Sequence, residues 1–140
     1  METTLRKVRE KYQNDCTHRE TIQELSETFG EDEVINVRSL LLGHNYKLAY
    51  PVWHSLKGYE KERDMFAKWS AQLMLKSFLH CPHYLNLNTV KRSYEKGNAT
   101  EDELKEAKLK SRASSRKDIA KQNTELLRII DEIDAREKKE

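Results

Sequence analysis

The chain has only four glycines and two prolines in 140 residues, too few turn formers for a strand-rich fold. Its two cysteines, Cys16 and Cys81, cannot build a disulfide framework, and their scarcity points to a reducing, cytoplasmic setting. No run of 18 apolar residues occurs, so no transmembrane helix and no membrane partner are expected. Met1–Thr4 has neither the basic flank nor the apolar stretch of a secretory signal. An excess of one charge is missing too. The 26 Lys and Arg stand against 24 Asp and Glu, a formal +2, which excludes a protein that coats a polyanion through net charge alone. There is no glycine-rich phosphate loop, no serine nucleophile elbow and no HExxH pair. The acidic runs Glu31–Glu33 and Glu101–Glu103 are consecutive residues, not a carboxylate pair held apart in a pocket. Neither an enzyme nor a cofactor is expected.

What is present is helical patterning. The length of 140 residues allows one ordinary domain or a small domain with a helical extension, and hydrophobic and charged residues each make up 36% of the chain, the former below the usual globular share. Leu5, Val8 and Tyr12 recur at helical spacing between Glu2 and about Gln13. Thr17 and Glu20 have the spacing of a capping box for a second helix, with Ile22, Leu25 and Phe29 on its apolar face and Gly30 to follow its last turn. Val34–Val37 is the only strand-like run. It is short and solitary, and reads as the lead into a helix over Val37–Leu42 that Gly43 ends. Asn45 caps the next segment, where Tyr46, Ala49, Tyr50, Trp53 and Leu56 share a face. Pro51 either kinks that helix or starts it.

From Tyr59 to Leu79 runs the strongest core helix, with Phe66, Trp69, Leu73 and Ser77 or Phe78 on one side and Met65 and Met74 widening the stripe. Cys81-Pro82 stops it, and a shorter helix follows over about Asn88–Lys96. Thr100–Glu103 is a second capping box, after which nothing interrupts a helix to the end of the chain. The expected architecture is therefore an all-α compact bundle of six to seven helices. Residues 1–100 form its core domain, and residues 101–140 form a long charged helix that packs on that core or on a partner.

That last helix changes character midway. Leu104, Ala107, Ser111 and Ser114 make a narrow face of mostly small side chains. Beyond Ser115, the residues Ile119, Gln122, Leu126, Ile129 and Ile133 recur at spacings of three and four, a two-heptad seam. Ile119, Leu126, Ile129 and Ile133 are the candidate association face, for a partner or a second copy. The same pattern also fits a helix packed on its own domain.

Two other clusters invite chemistry. Lys105–Lys121 holds seven basic and two acidic residues. With Lys91 and Arg92, its Lys105, Lys108, Arg112, Arg116 and Lys117 could follow a phosphate backbone. Against this, residues 101–140 balance eleven basic with eleven acidic side chains, the usual pattern of a solvated helix. His80, Cys81 and His83 offer two imidazoles and a thiol, with His54 or Cys16 as a fourth metal ligand. A structural zinc site normally draws on two ligand pairs, and only one is present, so no metal is expected. A catalytic Cys–His pair would need a positioned third group that spacing does not supply.

Thr28-Phe29-Gly30, Leu41-Leu42, Asn45–Trp53, Phe66–Ala71 and Gly97–Ala107 follow one another in an order that resembles the small helical immunity-protein domains of bacteria and phages. Gln122–Leu127 is similar to the ending of the phage versions. The chain departs from them over Lys108–Lys121, where serine, arginine and lysine replace alanines. The resemblance implies a non-catalytic protein that binds and blocks a partner such as a toxin, a nuclease or a host-defence component.

Overall fold

The computed structural model describes residues 1–139. Its elements are β1 (Glu2–Thr4), α1 (Leu5–Lys11), α2 (Arg19–Thr28), β2 (Val34–Asn36), α3 (Val37–Leu42), α4 (Tyr46–His54), α5 (Glu60–His80), α6 (Pro82–Glu95) and α7 (Glu101–Lys139), with one 3-10 turn at Cys16–His18. The chain is all-α, with seven α-helices and one two-stranded ribbon among the described residues. None of these helices is long and apolar enough to cross a membrane. The contacts divide the chain into two units. One comprises residues 1–64 with the chain from 122 onward, the other residues 65–121; the divisions fall inside α5 and α7.

In the first unit, β1 and β2 pair antiparallel with Thr3 opposite Ile35. Ile35 is fully buried and its neighbour Val34 is exposed, the two-residue alternation of a strand with one covered face. This corrects the helical reading of residues 2–4 and the reading of Val34–Asn36 as a mere lead-in. α3 starts at Val37 as expected, because the Asn36 side chain accepts the Ser39 N–H at 3.0 Å. Thr17 does not cap α2. It lies in the 3-10 turn, where Asp15 accepts its N–H at 2.9 Å, and α2 begins without a side-chain cap. Gly30 does not adopt positive φ; the turn after α3 instead places His44 at φ 57°. α4 is capped by Asn45 and runs from Tyr46 through Pro51, so the proline does not start it.

The core of this unit is Leu5, Val8, Leu25, Ile35, Val37, Leu41, Val52 and Trp53, joined by Leu126 and Ile130 from α7, each 1% exposed or less. Asn123 is buried beside them and donates to the Leu41 carbonyl at 2.9 Å, which also accepts the His44 N–H at 2.9 Å at the end of α3. At the surface, Arg38 pairs with Asp131 at 2.7 Å and Arg136 with Glu62 at 2.6 Å. Such exposed pairs contribute little energy but fix the register of the last helical turns.

The second unit contains three helical segments: α5 from Met65, α6, and α7 to Lys121. Cys81-Pro82 ends α5, but Pro82 also takes the first position of α6, where its missing N–H costs nothing. α6 therefore starts well before the expected Asn88. α7 begins with the expected capping box: the Glu103 N–H donates to Thr100 Oγ1 and the Thr100 N–H to Glu103 Oε1, both at 3.2 Å. Replacing Thr100 with alanine is expected to lower stability by about 1 kcal/mol in urea denaturation. The helix continues unbroken through Ser111–Ser115.

Only Phe66, Ala107 and Asp118 are buried between residues 65 and 121. Phe66 stacks on Trp69 with ring centroids 5.9 Å apart. Asp118 is a buried carboxylate whose two oxygens accept the Ser77 hydroxyl at 3.0 Å and the Tyr84 hydroxyl at 3.1 Å. One side chain thus ties all three helices of the unit, because a buried carboxylate must find donors.

Candidate interaction face

The expected association seam lies in the interior. Leu126, Ile129 and Ile133 are buried within the chain itself, and Ile119 is half-buried. Periodicity alone could not choose between a partner and the chain's own core, and the apolar residues of α1, α3 and α4 provide the second. The seam is corrected from an interaction face to packing.

The basic candidates behave differently. Lys91, Arg92, Lys105, Lys108, Arg112, Arg116 and Lys117 are all exposed and all belong to the unit of residues 65–121. That unit carries twelve Lys and Arg against six Asp and Glu, a formal +6. The remainder of the chain is therefore at −4. On α7, Lys105, Lys108, Arg112 and Arg116 follow one another at spacings of three and four and form one stripe.

The same unit exposes large apolar side chains. Of ten such residues exposed among those described, eight lie here: Met65, Met74, Leu75, Phe78, Leu79, Leu85, Tyr94 and Leu109. Leu75 is 59% exposed and Phe78 60%, whereas the sequence pattern placed Met74 and Phe78 in a core stripe. The signal was available in the spacing. At 100° per residue, Phe66, Trp69, Leu73, Met74, Leu75, Phe78 and Leu79 spread around more of the helix than one neighbour can cover.

Met74 and Phe78 on α5, Tyr84 and Leu87 on α6, and Ser111 and Arg112 on α7 line an open groove of about 450 Å³. No carboxylate lines it. A second cleft of about 460 Å³, in the other unit, is lined by Arg9, Tyr12, Asp15 and Arg19. Three of its lining residues are engaged with neighbours outside the cleft. Tyr12 stacks on His18, Asp15 accepts from Thr17, and Arg9 is paired with Glu31 at 2.7 Å. Burial and then the Asp15 charge push the Tyr12 phenol up to about 12. The first groove has the more apolar lining of the two, with Met74, Phe78 and Leu87 among its walls.

No family model, curated protein or solved structure matches the chain.

The His80–His83 cluster has a local explanation. His80 and His83 are exposed, and Cys81 is the residue preceding the first turn of α6. A hydrogen bond from Ser114 holds the Cys81 thiol below its usual pKa, assisted by the amides of Tyr84 and His83. Among the described residues no three His, Cys, Asp or Glu side chains are grouped so as to hold a metal ion. His54 and Cys16, considered as fourth ligands, both belong to the other unit.

Proposed function

We propose that this chain is a non-catalytic cytoplasmic binding protein, encoded by a phage or mobile element, that occupies and blocks the surface of a partner protein. The resemblance to immunity-protein domains supports the blocking role, and two unpaired cysteines suit the cytoplasm. The observation that carries the reading is the concentration of exposed apolar side chains and positive charge on residues 65–121. Apolar surface of this kind is retained where a partner covers it. The buried seam on α7 has no part in the proposal.

The second reading, a nucleic-acid-binding accessory, is favoured by the exposed stripe Lys105, Lys108, Arg112 and Arg116, with Lys91, Arg92 and Lys117 nearby in the chain. The two readings separate on a 20-base-pair duplex titrated at rising salt. Protein blocking predicts weak retention at low salt that is gone at physiological ionic strength. Retention that persists there, and drops at least tenfold when Lys108, Arg112 and Arg116 are all changed to glutamate, would transfer the function to nucleic acid. Capture and mass-spectrometric identification of a stoichiometric protein from lysate of the source organism tests the first reading directly; recovery of no such protein would sink it.

A further inference from the structure

Resting on the reading that residues 65–121 carry the binding face, we infer that the groove between α5, α6 and α7 receives one acidic amphipathic helix of the partner protein. The floor and walls fit apolar side chains. Met74 and Phe78 stand at its edge, while Tyr84 and Leu87 are half-buried inside it, so a side chain entering from outside completes their contacts. A volume of about 450 Å³ lies within the range of recessed binding pockets, roughly 300–1,000 Å³.

The charges around the groove select the sign of the occupant. Arg112 lines it, and Lys108 and Arg116 sit one turn to either side on α7. Lys91 follows Leu87 and Asn88 at helical spacing, so it extends the same face of α6 by one turn. None of these four cations enters an ion pair among the described residues. Three of the unit's six carboxylates are turned to other tasks, and of the rest Glu101 and Asp102 lie in the first turn of α7 while Glu95 follows Lys91 by one turn of α6. Asp118 is buried on Ser77 and Tyr84, Glu106 pairs with Lys110 at 3.1 Å, and Glu103 closes the capping box. An occupant bearing Asp or Glu beside its apolar anchors would meet all four cations.

The form of the occupant follows from the secondary structure. Residues 65–121 contain no strand among the described elements, so a partner strand has no sheet edge to extend here. Helix-in-groove docking, with anchors at i, i+3 or i+4, and i+7, is the mode that an interhelical recess supports. A second copy seated groove to groove would set one +6 unit against another. A bilayer would cover protruding residues such as Leu75 and Leu79 but would leave the recess empty.

The test selects helix-forming 16-residue peptides from a displayed library, with charged positions free to be Glu or Lys and apolar positions free to vary. The intact protein is the bait. Selected peptides are expected to be net acidic with apolar anchors at i, i+4 and i+7. Phe78→Glu and Arg112→Glu, both at exposed positions, are each expected to weaken their binding at least tenfold while circular dichroism stays unchanged. Lys7→Glu, in the other unit, leaves binding intact. Basic or neutral winners, or winners bound equally by both variants, overturn the groove assignment while leaving a protein-binding function in place. No winners, with retention of a 20-base-pair duplex that persists at physiological ionic strength, overturns both the assignment and that function. No winners, with or without binding to phosphatidylserine vesicles, overturns the acidic-helix occupant.

Discussion

Leu126→Glu is expected to abolish cooperative folding of the unit built from residues 1–64 and the end of α7. Leu126 is fully buried, one helical turn before Ile130 and with the apolar residues of α1, α3 and α4 as the rest of the core. Truncating a buried leucine to alanine alone costs about 2–5 kcal/mol, and forcing a carboxylate into the same space adds the cost of an unpaired buried charge. The sum of at least about 5 kcal/mol is comparable with the whole stability of an ordinary domain, about 5–15 kcal/mol. The measurement is thermal and urea unfolding followed by far-ultraviolet circular dichroism, with light scattering for oligomeric state. A folded, cooperative Leu126→Glu protein that has merely lost a dimer would return the α7 seam to the surface. Phe78→Glu is the matched control, because that side chain is already mostly in water.

Arg63→Met is expected to destabilise the same unit by roughly 3 kcal/mol, although it removes a surface-type residue rather than a core one. Arg63 has a side chain only 14% exposed, and its Nη1 donates to the carbonyls of Trp53 at 3.4 Å and His54 at 3.5 Å and also to that of Leu56. Trp53 and His54 close α4 and Leu56 lies just past it, so the guanidinium gathers carbonyls at and beyond the helix end, where the Trp53 carbonyl also accepts the Leu56 N–H at 3.0 Å. Methionine fills the space but cannot donate, so those acceptors lose a charged donor. Lysine in its place keeps the charge and one point of donation, and should recover part of the loss. A second signature appears at His54, whose imidazole is held below its usual pKa by partial desolvation and then by the Arg63 charge. The folded state therefore takes up that proton less readily than the unfolded chain, and stability falls as the pH drops below about 6.5. Arg63→Met should raise the His54 pKa in an NMR titration and flatten that slope. An unchanged His54 titration would show that the guanidinium does not sit against the end of α4.

Much of the fold was legible where its determinants are local. Asn36, Asn45 and the Thr100–Glu103 box cap helices from within three residues, and α3, α4 and α7 accordingly begin close to where their sequences indicate. The ribbon was not legible, because Glu2–Thr4 and Val34–Asn36 stabilise each other across two intervening helices and neither is a strand alone. Thr17 does not cap α2 because its N–H and its hydroxyl both donate to Asp15, which holds it inside the preceding 3-10 turn. The basic residues of the interaction face could be read from composition, since charged side chains in an interleaved helix stay in solvent. The groove could not. The wide apolar spread of α5 signals that side chains such as Met74 and Phe78 stay uncovered, but the groove's walls come from three segments, and only their assembly brings those walls together.

The discontinuity of the first unit also bears on synthesis. Residues 1–64 leave the ribosome with Leu5, Val8, Leu41 and Val52 made, but Leu126 and Ile130, which share their core, are encoded some sixty residues later. At about 5–20 residues per second, that interval lasts on the order of 3–12 seconds. During it the nascent chain carries an unfinished apolar surface, while residues 65–121 emerge in one uninterrupted stretch. Residues 1–64 thus wait for partners that are made only after the whole of residues 65–121.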